Sequence, residues 1–107
     1  MKVVSLEKVK FAPGKWEEAG KLMTAFQQMA EKNGFPKYKI YSVLSGEDVV
    51  QTLYFQSELE SLSQMESLLE KMFSDPETRV MMGEWAGVVE SHEVTILKEL
   101  SEGDLGT

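Results

Sequence analysis

The sequence predicts an α+β fold, a four-stranded antiparallel sheet with two helices packed on one of its faces. Three observations lead there. Two stretches place apolar residues at steps of three and four, the pattern of amphipathic helices. Four stretches carry β-branched and aromatic residues with at least partial alternation, as strands do. Their order along the 107 residues is strand, helix, strand, strand, helix, strand.

"KVVSLEKVKF", residues 2–11, reads as the first strand, and Pro13-Gly14 ends it. From Lys15 to Asn33 the apolar positions Trp16, Ala19, Leu22, Met23, Phe26, Met29 and Ala30 draw one helical stripe, with Trp16 expected in the core. Glu17 and Glu18 favour the N-terminal end of that helix, and Asn33-Gly34 followed by Pro36 supplies a stop. "KYKIYSVL", residues 37–44, and "VVQTLYFQ", residues 49–56, form a hairpin around "SGED". Ser57 and Glu60 have capping-box spacing ahead of Leu59, Leu62, Met65, Leu69, Met72 and Phe73, the second helix. Asp75 and Pro76 restart a short helix, one as cap and the other at a first helical position. "GEWAG" then reads as a turn, and the last strand runs from about Val88 to Leu97. Residues 1–100 make one domain, and 101–107 a flexible polar tail. This order describes a ferredoxin-like βαββαβ sandwich.

Composition removes whole classes of chemistry. There is no cysteine, hence no disulfide, thiolate metal site or cysteine nucleophile. One histidine cannot build a His-rich metal cluster, and no loop carries a Ca²⁺ or Mg²⁺ signature. Eleven basic residues against eighteen acidic ones give a net charge of −7, which repels phosphate backbones, so nucleic acid is not an expected partner. No apolar run approaches the roughly twenty residues of a membrane span. The N-terminus alternates charged with apolar residues where a signal peptide would be uniformly apolar, so the expected location is cytoplasmic.

Two helices cover one face of such a sheet, yet the strands carry apolar or aromatic residues on both. On the third strand Val49, Leu53 and Phe55 point one way, Val50 and Tyr54 the other. A second copy of the chain is the simplest cover, which predicts a twofold homodimer.

Three segments carry a resemblance to a known superfamily: "VKFAPGKWEEA", "YFQSELES" and "SDPETRVMMGEWAGVVESHEVTIL". In order and spacing the chain resembles the dimeric α/β-barrel superfamily, and within it the NIPSNAP-like and antibiotic-biosynthesis-monooxygenase-like branches. The resemblance implies two sheets packed face to face across a dimer, with a small cavity in each subunit. It places Ser5, Glu7 and Val9, and likewise Gln51, Leu53 and Phe55, toward that cavity. Haem-degrading relatives carry an amide on the first strand, a tryptophan on the third and a histidine on the second helix. Here those places hold Glu7, Phe55 and Met65, so the haem has no axial ligand and no cofactor is expected. The tryptophan and asparagine of the oxygenase branch are also unmatched at these strand positions.

The candidate catalytic residues are Glu7 and His92. A carboxylate facing an apolar cavity is made more basic by desolvation. The plainer alternative for Glu7 is a solvent-facing side chain or an ion pair with Lys8, Lys10 or a lysine of a second chain. His92 shares a strand face with Glu90, Val94 and Ile96. Imidazole suits proton transfer near neutral pH, but a single histidine without an identified partner is more simply a structural side chain. A meeting of Glu7 with His92 or Glu93 across the first and fourth strands would favour catalysis. Gln51, Phe55, Tyr54 and Trp85 are candidates to shape or orient a ligand, although Trp85, Met81 and Met82 more often plug a barrel end. Arg79 follows Asp75 by four residues, the spacing of a surface pair on a helix.

Two functional classes follow. One is a homodimeric barrel protein that binds a small apolar or aromatic molecule between sheet and helices, whose catalytic form would use cofactor-independent monooxygenase-like or isomerase-like chemistry. The other is a non-catalytic dimeric module whose cavity is filled by its own side chains. They differ in whether Glu7 and His92 point into an open, dry cavity or into solvent.

Overall fold

The computed structural model of the protein describes residues 2–46 and 51–106. Its elements are β1 (Val3–Phe11), α1 (Trp16–Asn33), β2 (Lys39–Ser42), β3 (Thr52–Leu59), α2 (Leu62–Ser74), α3 (Pro76–Val88) and β4 (Val89–Lys98), followed by a 3₁₀ turn at Gly103–Leu105. The sheet order is β2-β3-β1-β4 with antiparallel neighbours throughout, which is the ferredoxin-like arrangement. The connection from β3 to β4 carries two full helices where the sequence suggested one and a short piece.

Local chemistry explains the boundaries. α1 carries Glu17 and Glu18 in its first turn. It ends in a left-handed Gly34 (φ 70°), and the Phe35 N–H reaches back to the Ala30 carbonyl at 2.8 Å. That closure needs a residue tolerant of positive φ, which glycine is. β3 extends past the expected residue 56 because Ser57, Glu58 and Leu59 still find partners in Ser5, Val4 and Val3. Ser57 is therefore a buried strand residue, not a cap. The cap of α2 is Ser61, whose Oγ accepts from the Gln64 N–H at 3.1 Å while the Gln64 side chain accepts from the Glu60 N–H. This is a capping box shifted one turn along the chain.

α3 is capped as expected, with Asp75 Oδ2 accepting from the Thr78 N–H at 3.0 Å and Pro76 at the first helical position. It then runs straight through Gly83 and Gly87, where the sequence suggested a turn. Thr78, Met82, Trp85 and Val88 recur on one side of it, and tertiary packing outweighs two unfavourable glycines. β2 is only four residues long, so Tyr38 and Val43 lie outside the ladder. Val49 and Val50 lie outside the described residues.

Cross-strand partners share a face, so β1 sorts the sheet. Val3, Val9 and Phe11 face the helices and are almost fully buried. With Leu53, Phe55, Ala19 of α1 and Val88 of α3, Val9 and Phe11 make the core cluster. Each such aliphatic or aromatic side chain contributes about 1.5–3 kcal/mol on burial. Trp16 does not join them. It stays 49% exposed and meets the Phe11 ring edge-on at 5.6 Å. The other face carries Val4, Leu6, Lys8 and Lys10 of β1 beside Tyr54, Tyr41, Thr95 and Leu97, and none of the helices packs on it.

Candidate functional site

Between the sheet and the helices lies a cavity of about 220 Å³. Its floor is a row of directly opposed strand residues, in which Glu7 of β1 faces Phe55 of β3 and Phe55 faces Ile40 of β2. α1 contributes Met23, Phe26, Gln27 and Ala30, all on or beside its apolar stripe. Met72 of α2 and Met82 and Trp85 of α3 complete the wall, with Lys37 and Tyr38 at the approach to β2.

Aromatic edges fix the shape of this space. Trp85 meets Phe11, Phe26 and Phe55 at centroid distances of 5.3, 6.0 and 5.9 Å, each nearly perpendicular. Tyr38 meets Phe55 in the same way at 6.1 Å. Edge-to-face packing places the positive rim of one ring against the negative face of another, so each ring restrains its neighbour. Three methionines on the remaining wall supply an adaptable surface.

Into this apolar floor projects the Glu7 carboxylate, whose side chain is 29% exposed. Burial pushes its pKa above the ordinary carboxylate value, and the neighbouring His92 partly offsets the rise. His92 Nδ1 lies 3.4 Å from Glu7 Oε2. Register explains the meeting. Glu7 is opposite Val94 and Val9 is opposite His92, so His92 is the diagonal neighbour of Glu7 on the same face. The imidazole sits on edge strand β4, where its side chain is 61% exposed. Tyr38 is pushed to a higher pKa by burial and by the nearby Glu7 charge. A group that can donate a hydrogen bond thus stands close to one that can accept a proton.

Of the residues expected from sequence, Glu7, Phe55 and Trp85 line the cavity, and His92 touches Glu7 from its outer side. Tyr54 does not join them. It pairs with Lys8 and Tyr41 on the opposite face of the sheet. Gln51 does not line the cavity either. Its φ of 56° makes it the turn into β3, and its carbonyl accepts from the Phe11 N–H at 2.9 Å. Val9 and Leu53 face the helices as expected but are packed into the core. Sequence reasoning did not single out Lys37, Gln27 or Ile40. The alternation of "KYKIYSVL" puts Ile40 on the same face as Tyr38, a side chain whose hydroxyl could serve a ligand, and could have identified it. Among the described residues no group of His, Asp and Glu is arranged to hold a metal ion, and no helix is long and apolar enough to cross a membrane.

No family model matches the sequence, and no curated protein matches it. Solved structures do. A NIPSNAP family protein from Agrobacterium tumefaciens superposes with a TM-score of 0.76 at 19% identity, over 97% of this chain and 90% of that one. A NIPSNAP domain protein from Burkholderia xenovorans gives 0.77 at 15% identity, over 94% and 96%. A protein from Arabidopsis thaliana gives 0.71 at 17% identity, over 92% and 96%. At such identities the likeness speaks to architecture, and the chain has the ferredoxin-like, NIPSNAP-like fold.

Proposed function

We propose that the protein is a homodimer whose subunits each hold a small apolar or aromatic molecule between sheet and helices, and that Glu7 accepts a proton from it. The observation behind this reading is a single carboxylate standing on the floor of an otherwise largely apolar cavity, with an imidazole 3.4 Å away on its solvent side. Small-molecule sites commonly combine an apolar lining with a few convergent polar groups and run from about 300 Å³ upward, so a cavity of about 220 Å³ suits a ligand with one ring or a short chain.

The chemistry these groups support is proton transfer without a cofactor. Desolvation makes Glu7 the stronger base, and a ligand O–H or a C–H next to a carbonyl is a fitting donor. His92, exposed to solvent beside Glu7, passes the proton between Glu7 and water. Tyr38 donates a hydrogen bond to the oxygen on which negative charge develops, while Phe55 and Trp85 hold the ring. Moving a proton from one carbon to another needs nothing more, so isomerisation is the reaction class favoured. Oxygenation of the deprotonated ligand is the variant that would also consume dioxygen.

Native mass spectrometry of freshly purified protein, followed by the same measurement under denaturing conditions, tests this. A dimer carrying an extra mass that is lost on denaturation is the expected result, and it gives the ligand's mass. A dimer that takes up no aromatic or short-chain ligand at millimolar concentration would leave a non-catalytic module with a self-filled cavity.

A further inference from the structure

We infer that the ligand of this cavity is an apolar monoanion, held with its negative group at Lys37 and its proton-bearing end at Glu7; the inference rests on the cavity reading above. Two residues that line the cavity are charged, Glu7 and Lys37. Glu7 is on β1, an inner strand. Lys37 leads into β2, the far edge strand, three residues before Ile40. Glu7, Phe55 and Ile40 form one row across the sheet. Neighbouring strands are about 4.8 Å apart, so Glu7 and Ile40 are separated by about 10 Å at the backbone, and Lys37 precedes Ile40 by three residues along the chain. A single ring with a short side arm spans that interval.

The two charges are not equally provided for. Glu7 has His92 beside it. Lys2, Lys10 and Lys15 each pair with a glutamate. Among the described residues Lys37 makes no ion pair, although it lines a largely apolar cavity. Among the described residues the cavity's charge without an ionic partner is therefore Lys37, and an anion is the ligand group that would pair with it. The same anion turned round would face the Glu7 carboxylate across a poorly solvated space, so one orientation is selected. A cationic ligand would meet the Lys37 ammonium and a carboxylate already served by imidazole. With a net charge of −7 the chain as a whole draws no anion in, so the attraction is local to this lysine.

Calorimetric titration of the full chain with three molecules of matched shape tests this: 3-phenylpropionate, its neutral amide, and 3-phenylpropylamine. The expected order is propionate first, on the order of three- to fivefold tighter than the amide, the scale of a partly exposed charge pair. In Lys37→Glu, an exposed change outside any helix or strand, the propionate should fall behind the amide and the amide should keep its affinity. Equal binding of propionate and amide in both proteins would overturn the role of Lys37 and leave the cavity reading standing. Tightest binding of the amine to the unaltered protein would overturn it in favour of a cation at Glu7. Failure of all three to bind at millimolar concentration would overturn this inference together with the cavity reading.

Discussion

Glu7 shows how one side chain couples stability to reactivity. A carboxyl whose folded pKa is raised above its unfolded value of 4.5 holds more protons folded than unfolded. Its contribution is most favourable below pH 4.5 and is lost as pH rises through the folded value. Glu7→Gln should therefore be as stable as the parent at pH 4 and more stable at pH 7. The gain should stay below about 1 kcal/mol, because a partly exposed charge is screened by solvent. Urea unfolding at the two pH values measures it, and a parent more stable than the variant at pH 7 would mean that the His92 contact outweighs burial. Any turnover should be lost in the same variant, since an amide accepts no proton. Period-two alternation ties Glu7 to the face of Val9, but only the resemblance pointed that face at a cavity, and the residues alone left a solvent-facing Glu7 equally open. The misreading of Gln51 has a physical cause. One residue at positive φ ends the alternation, and nothing in its side chain announces that. The meeting with His92 depends on register, which the turns and the whole buried face set together.

At the scale of elements, caps were legible in kind and less so in position. The stretch from Ser57 to Gln64 offers the capping spacing twice, Ser57 with Glu60 and Ser61 with Gln64. Continued pairing of β3 with Val3 and Val4 decides for the second, and a single-chain pattern carries no record of that pairing. Ser61→Ala should cost about 1 kcal/mol and lower the melting temperature by several degrees, whereas Ser61→Asp should restore it, aspartate being an equivalent cap. Thermal unfolding by circular dichroism at one fixed protein concentration checks this, and an unaffected Ser61→Ala would remove the cap from the account of α2. The length of α3 was hidden for a different reason. Gly83 and Gly87 read as turn residues, yet a Cβ at either would meet nothing within 4 Å. The helix persists because Trp85 lies between them and packs against three rings.

The whole molecule exposes more surface than a compact chain of its mass. Its accessible surface is 7404 Å², whereas a compact monomer of 12.1 kDa exposes about 6,000 Å². Its radius of gyration is 15.3 Å, against about 13 Å for a compact chain of this length. One principal extent is only 19 Å, the thickness of a sheet with a single helical layer. The excess surface of about 1,400 Å² is more than the roughly 800 Å² each partner contributes to a stable dimer. Val4, Leu6, Tyr54, Tyr41 and Leu97 stand on the sheet face without helices, and a second sheet is the cover that their flat, alternating pattern fits. Leu6 sits at the middle of β1, between Gln56 and Thr95, so Leu6→Lys places a charge at the centre of that face. Sedimentation equilibrium at micromolar concentration should find a dimer for the parent and a less stable monomer for Leu6→Lys. Leu62→Lys, on the exposed side of α2, should remain dimeric. A Leu6→Lys protein that still sediments as a dimer would move the interface to other surfaces. The exposed apolar pair Val94 and Ile96 on edge strand β4, beside Glu7 and His92, would be the next to test, because a partner seated there would close the site itself.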